Sequence, residues 1–249
     1  MTQASDADHQ DAARFAEEAG RLLLGIRARI DGGEAVDLIR REGDLRAHEL
    51  LLARLTETHP DDAVLSEEGA DDPARLDAER VWIVDPLDGT REFGEPPRTD
   101  WAVHVALVIG GEPVAGAVAL PARGVVLSTA APPTLARSTG GRPRVVVSRT
   151  RPPAEADRLV TALGAELVAM GSAGAKAMAV VLGDADVYPH AGGQYEWDSA
   201  APVAVAARAG LHVSRLDGTP LRYNQRNAWL PDLLICRPEL AEPVLAALA

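Results

Sequence analysis

Residues Val81 to Phe93 read V-W-I-V-D-P-L-D-G-T-R-E-F, and this stretch constrains the fold more than any other. The apolar run Val81 to Val84 has the composition of a short buried strand. Pro86 brings a fixed φ and no backbone N–H, so the strand is expected to stop there. Gly89 permits a turn that other residues resist, and a helix is expected to start at Thr90. Two carboxylates, Asp85 and Asp88, are thereby fixed at the end of a buried strand. Hard divalent cations take oxygen ligands in this arrangement, and phosphate takes the free N–H groups of a helix start.

The surrounding chain reads as α/β. Residues 1 to about 9 are expected to be a loose tail. Helices are expected over Ala12 to Ile30, over Leu45 to Thr56 with Asp44 opening it, over Pro153 to Leu163, Ala173 to Leu182, Ser199 to Ala209 and Pro238 to Leu248. Strands are expected at Ala63 to Ser66, Trp101 to Ile109, Val114 to Leu120, Val125 to Ala130, Arg144 to Ser148, Leu167 to Ala169, Asp186 to Tyr188 and Leu233 to Cys236. The Pro-, Gly-, Ser- and Thr-rich segment Ala131 to Arg142 is the expected boundary between an N-terminal α+β half, 1–135, and a C-terminal α/β half, 136–249.

Composition narrows the partners. A net charge of -12 disfavours a nucleic-acid polymer, which calls for a basic face. A small phosphorylated substrate stays compatible, because bound cations invert the local field. The single Cys236 leaves no intrachain disulfide and no cysteine-based zinc site, and suits a reducing compartment. No apolar run approaches the ~20 residues that cross a bilayer, and the polar N-terminus is not a secretory signal, so a cytoplasmic protein without membrane contact is expected.

D-P-L-D-G-T resembles the signature of the inositol monophosphatase superfamily of metal-dependent, lithium-sensitive phosphatases. L-S-E-E-G (Leu65 to Gly69) resembles the family's upstream acidic motif and W-D-S-A-A-P (Trp197 to Pro202) its downstream one, in the expected order. D-P-L-D-G-T-R-E-F, V-V-V-S-R-T and G-S-A-G-A-K are most similar to the CysQ-type 3'(2'),5'-bisphosphate nucleotidases. The resemblance runs from about Asp44 to Cys236. It implies a layered α/β/α/β/α sandwich, as in inositol monophosphatase and fructose-1,6-bisphosphatase. It implies Mg²⁺-dependent phosphomonoester hydrolysis with two or three ions, most closely of 3'-phosphoadenosine 5'-phosphate to AMP and phosphate, in sulfur metabolism. Inositol-1-phosphate and fructose-1,6-bisphosphate are the alternative substrates. A non-catalytic metal- or nucleotide-sensing protein is the rival from another class, against which the intact acids and Thr90 argue. A monomer or homodimer is expected.

By the same resemblance, Glu67, Asp85, the Leu87 carbonyl, Asp88 and Asp198 are metal ligands, with Glu68 solvated or behind them. Each acid alone has a plainer reading: a loop acid for Glu67, a turn residue for Asp85, a helix cap for Asp198. Asp44 and Thr90 are implied to activate the attacking water, although Asp44 also suits an N-cap. Gly89 and Thr90 are implied to offer backbone N–H groups to phosphate. Ser172 and Lys176 are implied substrate contacts, with Lys176, the only lysine, as a mobile charge for a second phosphate. Ser148 and Arg149 are placed at the nucleotide site. His190 stands where inositol monophosphatases carry a Glu that holds sugar hydroxyls. The other five histidines form no ligand cluster, and the four tryptophans read as packing residues rather than base-stacking platforms.

Overall fold

The computed structural model describes residues 3–135 and 140–249; residues 136–139, at the expected boundary between halves, lie outside them. The helices are α1 Asp6–Arg27, α2 Val36–Thr58, α3 Thr90–Phe93, α4 Glu155–Leu163, α5 Ala173–Leu182, α6 Glu196–Arg208 and α7 Ala241–Leu248. The strands are β1 Ala63–Ser66, β2 Arg80–Asp88, β3 Ala102–Ile109, β4 Glu112–Leu120, β5 Val125–Ser128, β6 Arg144–Ser148, β7 Glu166–Met170, β8 Val187–Tyr195, β9 His212–Ser214 and β10 Trp229–Cys236. One sheet runs β1-β2-β3-β4-β5 and the other β7-β6-β8-β10-β9.

The strands read as unbroken apolar runs because both faces of each sheet are covered. In β2, Trp82 and Val84 pack toward α1 and α2, while Val81 and Ile83 face the opposite core. In β6, Val145 and Val147 pack with Leu159 of α4 and Val244 of α7, while Val146 joins the core that holds α5 and α6. The layers are therefore α1/α2, first sheet, α5/α6, second sheet, α4/α7. This is the expected α/β/α/β/α sandwich. The alanines of α6 let it lie close on the first sheet: a Cβ on Gly116 of β4 would meet Ala204 Cβ at 3.0 Å.

Several boundaries differ from the sequence reading. Helix α1 begins at Asp6 rather than near Ala12, because Ser5 and Asp8 form a reciprocal cap and the Asp8 carboxylate is held by Arg80 at 2.6 Å. Helix α2 begins at Val36, so Asp44 lies inside it and is no cap. Strand β2 does not stop at Pro86: Asp85 pairs with His104 and Asp88 with Ala102, so Pro86 and Leu87 form a bulge opposite one residue of β3. The missing N–H of Pro86 is tolerated at such a bulge. Strand β8 runs on past Tyr188 to Tyr195 because β10 pairs with it along its length.

Candidate active site

The β2 bulge aims two carboxylates into one cleft. Asp85 is buried; its Oδ1 accepts the Leu87 N–H at 3.0 Å, and its buried Oδ2 has no hydrogen-bond partner among the described residues. Asp88 is held by the start of α5. Its Oδ2 accepts from Ser172 Oγ at 2.5 Å and Gly174 N at 2.6 Å, and its Oδ1 accepts from Ala173 N at 3.1 Å. Asp198 sits in the first turn of α6, where its Oδ2 accepts the Tyr195 N–H at 2.6 Å. Ligand atoms of Asp85, Asp88 and Asp198 lie within 4.8 Å of one another.

Buried His104 completes the floor. Its Nδ1 lies 3.0 Å from the Trp197 carbonyl and 3.9 Å from Asp85 Oδ2, and its Nε2 lies 3.2 Å from Asp88 Oδ2. Both nitrogens face acceptors, which suits the doubly protonated ring. The imidazole reaches Asp88 only because residue 174 is glycine; a Cβ there would collide with Nε2. Burial alone would raise the Asp88 carboxyl, but His104, Lys176 and Ser172 hold it down at about 2.

The other acids move the opposite way. Burial, then the charges of Glu67, Asp88 and Asp198, push Asp85 well above the carboxylate range. Burial and Asp88 push Asp198 up to about 6. Glu67 stands at the mouth of the cleft against Asp85; the protein around its carboxyl, with Asp198, Asp88 and Glu68, pushes it up to about 7. A hard cation suits the oxygen ligands of this set and brings positive charge close to the buried Asp85 Oδ2.

A pH dependence follows. In the metal-free protein Glu67, Asp85 and Asp198 keep protons that the unfolded chain releases near pH 4. Stability is therefore lost as pH rises from there through about 6 for Asp198 and about 7 for Glu67. Asp88, held at about 2, adds no slope in this window. Mg²⁺ needs the ionised acids, so its gain in Tm should be larger near pH 8 than near pH 5. Thermal unfolding with and without Mg²⁺ at both pH values checks this; an equal gain would mean that the cluster does not hold its protons.

Asp44 and Thr90 meet across 46 residues. Thr90 Oγ1 lies 3.2 Å from Asp44 Oδ1 and 3.1 Å from the Leu87 carbonyl. Gly43 makes the meeting possible: a Cβ there would sit 3.0 Å from the Phe93 ring and 3.2 Å from Leu87. Burial and Glu68 push Asp44 up to about 6, against its bond with Thr90.

Some sequence-predicted residues sit differently from the reading above. Gly89 takes a left-handed φ of 84°, and a Cβ there would meet the Ser172 side chain at 3.1 Å, but α3 behind it is a single turn. Ser172 is spent on Asp88 and on capping α5 through Ala175 N. Lys176 is not a mobile surface charge. It is 5% exposed, and its Nζ donates to the carbonyls of Ser172 at 2.5 Å and Gly171 at 3.3 Å. Arg149 is paired with Glu92 and Glu95, Ser148 Oγ accepts the Arg151 N–H, and His190 Nε2 lies 2.9 Å from the Gly193 carbonyl. Sequence reasoning missed His104; its only signal is a histidine within the otherwise apolar A-V-H-V-A-L of β3. It also missed Asp100, whose Oδ2 accepts the Gly171 N–H at 2.6 Å. A cavity of about 310 Å³ on the outer side of the second sheet, lined by Glu155, Arg158 and Asp232 among others, shares no residue with this cleft.

A five-layered α/β sandwich with an acidic, cation-demanding cleft between its sheets defines a class of metal-dependent proteins, to which known sequences and structures give a family. A sequence profile of the inositol monophosphatase family matches residues 9–248, and the chain belongs to that family. It is 54% identical over 240 residues to the 3'-phosphoadenosine 5'-phosphate phosphatase of Mycobacterium tuberculosis, covering 93% of this chain and 90% of that protein. It is 33% identical over 237 residues to the 3'(2'),5'-bisphosphate nucleotidase CysQ of Escherichia coli strain K12, covering 87% and 94%. The crystal structure of CysQ from Bacteroides thetaiotaomicron superposes with a TM-score of 0.77 at 30% identity, over 93% of this chain and 97% of that one. No helix among the described residues is long and apolar enough to cross a membrane.

Proposed function

We propose that this chain is a Mg²⁺-dependent phosphomonoesterase that removes the 3'-phosphate of 3'-phosphoadenosine 5'-phosphate and leaves AMP. The observation that carries the chemistry is the orphaned Asp85 Oδ2 within the triad of Asp85, Asp88 and Asp198, beside the Asp44–Thr90 pair. The names of the relatives at 54% and 33% identity support the substrate. Glu67, Asp85, the Leu87 carbonyl, Asp88 and Asp198 would hold the ions. Asp88 would do so through Oδ1, because its Oδ2 already takes Ser172 and Gly174. Bound Mg²⁺ supplies Lewis acidity toward the phosphate, acidifies water and neutralises the leaving alkoxide.

The residues do the rest. Thr90 has one hydroxyl proton and two acceptors; when it donates to ionised Asp44, a lone pair is left to receive a proton from water. Attack of that water oxygen on phosphorus breaks the bond to the 3'-oxygen. The water's proton moves to Thr90 as the Thr90 proton moves to Asp44, and the 3'-oxygen takes a proton from solvent. The buried floor of His104 and Lys176 limits the repulsion among three carboxylates without filling the cleft.

We place the protein in the cytoplasm as a monomer or homodimer; buried Cys236, its thiol pushed up to about 12 by burial, suits a reducing compartment. Phosphate release from a panel of phosphomonoesters, with Mg²⁺ and with excess chelator, tests the proposal. Preference for inositol-1-phosphate or fructose-1,6-bisphosphate would overturn the substrate, and full activity in chelator would overturn the metal. Li⁺ should inhibit at fixed Mg²⁺ by occupying one ion's place after hydrolysis. Equal inhibition by Na⁺ or K⁺ would reduce that effect to ionic strength.

A further inference from the structure

The chain has only nine aromatic residues: four Trp, three Tyr and two Phe. Six are buried: Phe15, Phe93, Trp82, Trp101, Tyr188 and Tyr223. The remaining three, Tyr195, Trp197 and Trp229, are neighbours in one place. Tyr195 stacks on Trp197 with ring centroids 4.6 Å apart and planes 9° from parallel. Trp229 is the cross-strand partner of Tyr195 in the β8–β10 ladder. Tyr195 is 47% exposed and Trp229 46%. Leaving two large rings in water forgoes burial that a packing role would gain.

Their place is as informative as their exposure. The Tyr195 N–H donates to Asp198 Oδ2 at 2.6 Å, so the row begins one residue contact from the acid triad. One face of the Tyr195 ring is covered by Trp197. Gly193, with φ 88°, has no Cβ to obstruct the Trp229 indole, which lies over it. The base of a nucleotide lies one sugar away from its 3'-phosphate.

We infer that Tyr195, backed by Trp197 and flanked by Trp229, is the surface on which the purine base of a nucleoside bisphosphate stacks. This rests on the proposed function for the identity of the substrate. Such a surface would favour phosphates that carry a base without needing a cation, because a flat π-face gains more from a base than from a polyol.

The test combines binding and turnover. Tyr195→Ala keeps the backbone N–H that Asp198 uses, and Tyr195→Phe keeps the ring. Calorimetry of AMP and of ribose 5-phosphate with Mg²⁺ present reads stacking without catalysis. Tyr195→Ala should weaken AMP by roughly tenfold or more, ribose 5-phosphate far less, and Tyr195→Phe should hold AMP within about twofold of the parent protein. In turnover, Tyr195→Ala should lower the ratio of kcat/KM for 3'-phosphoadenosine 5'-phosphate over ribose 3,5-bisphosphate by the same factor. If Tyr195→Ala binds AMP as the parent does, or loses both ligands equally, the stacking surface is wrong even where the nucleotide is hydrolysed. If AMP binding depends on the Tyr195 ring while the bisphosphate is not cleaved, the surface stands and the proposed function falls.

Discussion

Asp85→Asn should abolish most activity while leaving the metal-free protein at least as stable as its parent. Asn keeps the acceptor at Oδ1 that the Leu87 N–H uses. It places an NH₂ where Oδ2 now lies buried without a partner, facing the carboxyl of Glu67. The substitution thus replaces a carboxyl that the metal-free fold holds protonated with a neutral amide of the same shape, which adds no strain. The same change deletes an anionic ligand and points a donor at the cation. Loss of a residue that merely supports a ligand costs about 10- to 100-fold; loss of this ligand should cost kcat about 100-fold or more. Steady-state kinetics at saturating Mg²⁺ and thermal unfolding in chelator measure the two halves. Near-parent kcat, or a metal-free protein that unfolds well below its parent, would contradict this account of Asp85.

Lys176→Ala should damage the fold rather than the choice of substrate. The ammonium satisfies the Gly171 and Ser172 carbonyls, lies 5.3 Å from the Tyr188 ring and offsets the charge of Asp88. Burial lowers its pKa, and the nearby acids oppose that. Removing one partner of a buried charged network costs about 3–5 kcal/mol. At about 2–4 °C per kcal/mol for a chain of this size, Tm should fall by roughly 10 °C. The residual folded enzyme should lose kcat/KM on 3'-phosphoadenosine 5'-phosphate and on inositol-1-phosphate alike. That reverses the expectation drawn from sequence, in which only the bisphosphate would suffer. An unchanged Tm with a loss confined to the bisphosphate would return Lys176 to the substrate.

The burial of Lys176 shows what a sequence hides. A lone lysine in G-S-A-G-A-K reads as a surface cation because lysine is almost never fully buried unless paired. Its partners here are backbone carbonyls, which carry no sequence signal, and Asp88, 88 positions earlier in the chain. Asp44 was paired with Thr90 by resemblance, but its place inside α2 was hidden in another way. Gly43-Asp44 looks like a helix start, yet glycine there serves the close approach of α2 to Phe93 and Leu87. His104 was hidden because only the β2–β3 register sets it opposite Asp85. The layered fold was far more legible. Runs such as Val81 to Val84 and Val145 to Val147 are too apolar for strands with a wet face, so both sheets had to be covered on both sides.

The sequence by itself determined the kind of chemistry at β2. Asp85, Leu87, Asp88 and Thr90 are separated by so few bonds that any turn at Pro86 and Gly89 keeps their oxygens together. Tertiary structure decided which of those oxygens are free. The start of α5 takes Asp88 Oδ2, α6 brings Asp198 within 4.8 Å, α2 brings Asp44 to Thr90, and among the described residues Asp85 Oδ2 is left without a hydrogen-bond partner. The physical reason is range. Covalent geometry fixes neighbours within a turn, whereas hydrogen bonds and close packing between segments far apart in the chain exist only once the layers have docked.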